Sequence, residues 1–385
     1  MKATRSRVNS QDNSCKAGIL CINTGGVGDL HGLRMRRLAA YLHEPVTIYD
    51  LDRNRRKTAF KDLNALIRSQ PWKLIYQEST GIVGGINLIL AARQWGQRFV
   101  VSSGDPIEGF FRTTKGEAVG RAFGVYERQL LKYCAGFIGW TPYLTGRALE
   151  LGARRAVTVE GAVDLNLFRR LDEAQRLEIK RSLRLPPGDL VCGVVGSLKW
   201  TERQSYCYGL ELVEAAQRLQ RKDVSFLIVG DGDGRERLEK RVPEALRHRV
   251  VFTGRIPEAE VARVMNAMDI GFITQTLDSL GSYRLTTKMP EYLASGLPIA
   301  MSPIPGFFDY VGKAGWALPA LHPSNKSFHD ELAVWIDKLS RDEVYERQAQ
   351  CAAAAAVFDY EVVGPRFASF VNNLIGEPVS VSSRD

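Results

Sequence analysis

Short apolar runs alternate with amphipathic stretches along this chain, and the alternation starts twice. Strands are expected at 17–22 (AGILCI), 46–50, 73–76, 98–102 and 136–140, with helical patterns after the first strand to about Tyr41 and at 58–69, 80–95 and 115–133. Strand–helix alternation at this spacing predicts a parallel, doubly wound sheet. A helix, a short strand at 156–159 and a polar loop at 160–164 follow, then a charged helix that ends in Pro186-Pro187-Gly188. The pattern then begins again. Strands are expected at 190–195, 225–230, 250–252, 269–274 and 297–300, with helices at 209–220, after 234 and up to Met268. The chain should therefore be α/β, with two Rossmann-like domains facing across a cleft: 1–170, a linker at 171–189, and 190–358. With 385 residues there is room for two cores. Tail helices are expected at 323–339, 342–357 and 360–375 without intervening strands, and the last segment, 359–385, should cross back onto the first domain.

Composition narrows the function classes. No run reaches the roughly 20 apolar residues a membrane span requires. The polar start, MKATRSRVNSQDNSCK, lacks the pattern of a secretory signal. The six cysteines (Cys15, Cys21, Cys134, Cys192, Cys207 and Cys351) have no CxxC spacing, which suggests reduced thiols in a cytoplasmic setting and no metal site. Residues 1–170 carry 26 Lys+Arg against 14 Asp+Glu, a balance of +12; the remainder carries 26 against 29, a balance of −3. A basic first half could face anionic lipid, as on the inner membrane face, nucleic acid or an acidic substrate. No nucleic-acid-binding signature accompanies it. Arg34, Arg36 and Arg37 on the first helix, and Arg53, Arg55, Arg56 and Lys57 after the second strand, fit a membrane-docking surface and a solvated face about equally.

The richest stretch is 278–301, DSLGSYRLTTKMPEYLASGLPIAM. Gly281 and its flanking serines favour a turn. From Thr287 a helix is expected, with Pro290 early, where its missing N–H costs nothing, and Gly296 at its end. A loop feeding backbone N–H groups onto a helix start suits an anion. Lys288 adds a positive charge, and Glu291 a two-oxygen acceptor that suits a ribose diol. An ordinary αβ unit with a solvated Lys and a dipole-favoured Glu has the same signature. Elsewhere Gly26 and Gly28 lie in a glycine loop after the first strand, beside His31, and Asp105 ends the fourth strand. Gly230-Asp231-Gly232-Asp233-Gly234 lacks GxGxxG spacing and sits mid-sheet, so it reads better as a turn with Asp capping the next helix than as a dinucleotide site.

In order, G-S-L (196–198), L-I-V-G-D-G (227–232), F-T-G-R-I-P (252–257), D-I-G-F (269–272) and K-M-P-E-Y-L-A-S-G-L-P-I (288–299) resemble a family 4 glycosyltransferase. E-G-A-V-D-x-x-x-F (160–168) extends the match. The resemblance implies the GT-B fold and transfer of a glycosyl group from a nucleotide-diphosphate sugar, with retention and with neither metal nor cofactor. It implies that Glu291 holds the ribose hydroxyls, that Thr287, Lys288 and the Gly281-Ser282 backbone meet the diphosphate, and that Arg255 and Ile256 flank the base. Gly26 and Gly28 would face donor phosphates or acceptor, and Gly196 would belong to the donor loop.

Three positions depart from the family pattern. Tyr283 stands where a second Glu contacts the donor sugar. Ser197 takes the place of an Arg, so Lys199 or Arg203 would supply that charge. No His precedes Asp105, which leaves Asp105 or His31 to orient the acceptor. The acceptor expected is a glycan, a lipid-linked sugar or a small molecule. An inverting enzyme of the same fold with Asp105 or His31 as base, and a non-catalytic sugar-nucleotide-binding protein, are the rivals.

Overall fold

The computed structural model describes residues 18–52 and 56–376, the side chains of Arg56 and Lys57 excepted. Ala17, Cys15, Arg53 and Arg55, the Arg56 and Lys57 side chains, and the segment 377–385 lie outside the described residues.

Two parallel six-stranded sheets form the molecule. The first contains β1 (Ile19–Asn23), β2 (Val46–Asp50), β3 (Leu74–Glu78), β4 (Phe99–Ser103), β5 (Gly136–Gly139) and β6 (Ala156–Thr158), in the order β2-β1-β3-β4-β5-β6. The second contains β7 (Leu190–Val195), β8 (Val224–Val229), β9 (Val250–Gly254), β10 (Ile270–Ile273), β11 (Ile299–Met301) and β12 (Gly315–Ala317), in the order β12-β11-β10-β7-β8-β9. Most of these strands are buried along their length, as parallel sheets covered on both faces require. One apolar cluster packs each face of each sheet. In such sheets ligands bind beyond the carboxyl ends of the strands where the order reverses. The reversal lies between β1 and β3 in the first sheet and between β7 and β10 in the second.

The strand–helix alternation is as expected, with three local differences. The segment 107–133 holds two helices, Ile107–Lys115 and Glu117–Tyr133, because Gly116 adopts a φ of 103° and breaks the run. A further strand, β12, lies ahead of the tail helices, where no element was expected; at three residues it is too short for a readable alternation. The charged helix Glu173–Ser182, expected in the linker, is fastened to the second sheet. Arg176 and Lys180 each bond the Asp269 carboxylate at 2.7 and 2.9 Å, and Asp172 and Gln175 form a capping box at its start.

The helix Tyr360–Gly376 crosses back as expected. Val363, Phe367, Val371 and Leu374 fill the first domain's core beside Met35 and Leu38, and Arg366 bonds Glu160 at 2.6 Å.

Of the first-helix arginines, Arg34 leaves the surface, while Arg36 is exposed and Arg37 half-buried. Arg34 is buried and bonds Glu78 at 2.8 Å, the Val159 and Glu160 carbonyls at 2.9 and 3.2 Å, and lies over the Trp140 ring at 4.6 Å. Arg36 pairs with Asp50, and Arg37 with Asp164 at 3.5 Å. Only Arg34 departs from the surface placement that a helical Arg usually takes. Among the described residues no helix is long and apolar enough to cross a membrane.

Candidate functional site

The two domains meet along the loop 276–287, which leaves β10 and leads to the helix Lys288–Ala294. Asp278 organises its first turn. Its Oδ1 accepts from Thr276 Oγ1 at 2.8 Å and from the backbone N–H groups of Leu280 and Gly281 at 2.9 and 3.1 Å. Its Oδ2 accepts from Thr113 Oγ1 of the first domain at 2.8 Å. Burial alone would raise the Asp278 pKa, but these donors bring the carboxyl below its ordinary value. Gly281 is required here: a Cβ would lie 1.7 Å from the Thr276 carbonyl oxygen. Further along, the Tyr283 carbonyl accepts from Thr141 Oγ1 at 2.7 Å, and the Tyr283 ring packs on the first domain's core with Arg147 above it at 5.5 Å. Tyr283, at the position of the expected sugar contact, is thus part of the domain seam. Ser282 is half-buried in the same turn.

Two adjoining hollows flank this seam. One, of about 660 Å³, has Arg112 and Thr113 on one wall and Arg203, Asp278 and His322 on the other. The second, of about 200 Å³, is bounded by Phe110, Ser197, Lys199, Tyr208, Thr274 and Arg284. Ser197 and Lys199 belong to the turn after β7, and Thr274 follows β10, so the smaller hollow lies at the reversal point of the second sheet. Lys199 and Arg203 are exposed. Neither Lys288 nor Glu291 is among the residues bounding these two hollows.

Lys288 and Glu291 are bonded to one another through Nζ and Oε2. Glu291 is only 8% exposed; burial raises its pKa, and the Lys288 charge works against that rise. The helix begins at Lys288 with Thr287 as its N-cap, Pro290 in its first turn and Gly296 just beyond its end at a φ of 67°. Arg255 is exposed and Ile256 half-buried against the core between β9 and the next helix.

On the first-domain side, Gly26 and Gly28 take positive φ in the turn after β1, and Asp29 accepts from the His31 backbone N–H at 3.2 Å. The His31 ring lies 5.7 Å from Trp140, and its buried Nδ1 has no hydrogen-bond partner. Asp105 is engaged across the seam: Arg284 meets its Oδ1 through Nε at 3.0 Å and its Oδ2 through Nη2 at 3.3 Å. Arg284 also donates from Nη1 to Gln275 Oε1 at 3.1 Å. Arg284 was missed in the sequence. Its one signal was being the sole charged residue between Asp278 and Lys288.

The 230–234 segment buttresses the turn after β7. A Cβ at Gly232 would meet the Leu198 carbonyl carbon at 2.5 Å, and Asp233 accepts from the Trp200 N–H at 2.7 Å. An Asp of this segment was expected to cap the next helix. That helix, Arg235–Arg241, has no side-chain cap, because the Asp233 carboxylate faces the 198–200 turn instead.

A buried carboxyl behind the hollow also went unnoticed, since Glu211 reads as an ordinary first-turn helix residue. Glu211 is fully buried and accepts from Thr274 Oγ1 at 2.9 Å, Tyr206 OH at 3.0 Å and the Gly209 N–H at 3.2 Å. Tyr206 and Thr274 also touch each other. Three oxygen pairs close this ring while the two hydroxyls carry only two protons, so a proton on Glu211 completes it, the carboxyl then donating to one hydroxyl and accepting from the other. Burial pushes this carboxyl up to about 7 despite the hydrogen bonds. The folded state therefore holds a proton that the unfolded chain releases above about 4.3, and stability falls as pH rises from there to about 7. Glu211→Gln is expected to be more stable than the parent at pH 8, by up to about 3 kcal/mol, and to match it near pH 4. Parallel melting curves from pH 4 to 8 that never diverge would refute the buried-proton assignment.

Residues 189–339 match the family profile described as Glycosyl transferases group 1. Over 195 residues the chain is 34% identical to 2-deoxystreptamine glucosyltransferase of Streptomyces kanamyceticus, covering 49% of this chain and 47% of that protein. Over 141 residues it is 33% identical to 2-deoxystreptamine N-acetyl-D-glucosaminyltransferase of Streptomyces fradiae, covering 35% and 31%. The chain thus spans less than half the length of these curated relatives. Among solved structures, HepE of Anabaena in complex with UDP and glucose superposes with a TM-score of 0.71 at 16% identity, covering 92% of this chain and 99% of that one. Sucrose-phosphate synthase of Thermosynechococcus elongatus gives 0.72 at 17% identity, covering 93% and 99%. At these identities the likeness establishes the architecture.

Proposed function

We propose that this chain, which belongs to the group 1 glycosyltransferases and has the GT-B fold, moves a sugar from a nucleotide-diphosphate donor to an acceptor held between its domains. The observation that carries this reading is the hollow at the reversal point of the second sheet, walled by the Ser197–Lys199 turn and by the loop leading to Glu291. Glu291 takes the ribose diol through the carboxylate oxygen that Lys288 does not engage. Thr287 and Lys288 lie on the diphosphate side, with Gly196 and Ser197 opposite, and Arg255 and Ile256 flank the base; the Gly281 and Ser282 N–H groups, expected to join them, already donate to Asp278. Such fixed donors favour charge that develops on the leaving diphosphate.

With retention, the bond from the sugar's anomeric carbon to the β-phosphate oxygen breaks as the bond to the acceptor oxygen forms on the same face. The departing phosphate oxygen takes the acceptor proton, so neither a protein base nor a metal is needed. Inversion has one observation in its favour: the unpartnered Nδ1 of His31, a candidate base on the first-domain side. The anomeric configuration of the product decides between them. The acceptor is a small aminocyclitol of the kind named for the Streptomyces relatives, or a glycan or lipid-linked sugar. Contact with an anionic membrane would draw on the basic balance of residues 1–170, although Arg34, Arg36 and Arg37 are already paired. Salt-sensitive vesicle binding would support that contact, and binding indifferent to salt would exclude it.

Thermal melts with UDP-, GDP- and ADP-sugars test the donor assignment, because a ligand bound only by the folded state raises its stability. One base class should raise the melting temperature, with product formed when an acceptor is added. No shift with any of them, or binding without transfer or donor hydrolysis, would count against an enzyme.

A further inference from the structure

We infer that Arg284 is the cation that receives the donor's diphosphate, and that Asp105 is a positioning residue that aims it from the opposite domain. This rests on the nucleotide-sugar reading above. The cations near the seam differ in how they are held. Lys288 is bonded to Glu291, and Arg112 to Glu108 and Glu117. Lys199 and Arg203 are exposed, long and unanchored, so each would have to be ordered by the ligand itself. Arg284 is different. Its side chain is 23% exposed, bounds the smaller hollow, and is fixed from both domains by Asp105 and Gln275.

The guanidinium has five N–H donors in a rigid fork. Asp105 accepts from Nη2 and lies within ion-pair distance of Nε, which is buried without a hydrogen-bond partner, and Gln275 takes one hydrogen of Nη1, so one hydrogen on each Nη is uncommitted. Two N–H groups remain for a further acceptor. Gln275 is in turn held through its amide nitrogen by Tyr208 OH at 3.0 Å, so the fork is braced on the side of the second sheet as well. A guanidinium whose direction is set before the ligand arrives suits bidentate contact with a phosphate. Because Ser197 offers no charge on the opposite turn, Arg284 supplies it from the loop. Asp105, committed to Arg284 on both oxygens, then acts through that residue rather than on the acceptor hydroxyl.

The test compares the affinities of UDP, GDP and ADP with those of UMP, GMP and AMP, by calorimetry, for the full chain and three variants. The parent should bind one nucleoside diphosphate more tightly than its monophosphate. Arg284→Gln should weaken the diphosphate about ten- to hundredfold and its monophosphate much less, so the ratio collapses. Arg284→Lys should fall between. Asp105→Asn should lower the ratio in the same direction while the melting temperature without ligand stays close to the parent's, a result that a purely structural staple would not give. If Arg284→Gln fails to fold, the Lys and Asn variants carry the comparison. An unchanged ratio in all folded variants overturns the inference and leaves the nucleotide-sugar reading standing. A parent that binds none of the three diphosphates overturns both.

Discussion

Glu291→Gln is expected to lose most of its donor affinity while keeping its fold. A charged hydrogen bond to a ribose hydroxyl contributes about 1.5–3 kcal/mol, so the dissociation constant should rise about ten- to hundredfold. The substitution keeps the shape of a side chain that is 8% exposed, and the amide oxygen can still accept from Lys288. With Glu291 in the proposed role, gripping the nucleotide rather than the reacting carbon, the loss should fall on KM for the donor more than on kcat. Titration of both proteins with the donor identified by thermal melts checks this. Equal affinity would remove Glu291 from the site.

The second large effect lies in the first domain. Arg34→Met should destabilise the chain by about 3–5 kcal/mol, since it strands the Glu78 carboxylate, whose side chain is fully buried, without its cation. That is a large share of the roughly 5–15 kcal/mol that holds a typical domain together. Tyr76 and Ser102 also bond Glu78, and Arg34 in turn ties the ends of β3 and β6 to the first helix. The double variant Arg34→Met with Glu78→Gln should recover part of the loss, because the two residues are coupled. Denaturant melts measure both; strict additivity would contradict the buried pair.

The organisation of the chain was readable because its strands are continuous apolar runs that a covered parallel sheet demands, and because the pattern restarts after Pro186-Pro187-Gly188. The start and end of the helix Lys288–Ala294 were readable too, since Pro290 and Gly296 have few other uses in such a stretch. What the pattern could not convey was pairing over long range. Arg34 meets Glu78 across 44 positions, and Arg284 meets Asp105 across 179. Nothing local to an arginine tells whether its partner is water or a carboxylate from another element. The same limit hid Glu211, whose bond to Thr274 spans 63 positions, although its other donors, Tyr206 and Gly209, lie close by in sequence. Tyr283 was legible as a departure from the family pattern, but its place in the domain seam depends on Thr141 and Arg147, both far away in sequence.

The grip of the second domain on a ribose diphosphate is tested most directly by titrating the protein with UDP, GDP and ADP and with their 2′,3′-dideoxy counterparts. One base should bind, its dideoxy form should bind at least about tenfold more weakly, and Glu291→Gln should erase most of that difference. Equal affinity for a nucleotide and its dideoxy form, or binding of none, would contradict the account.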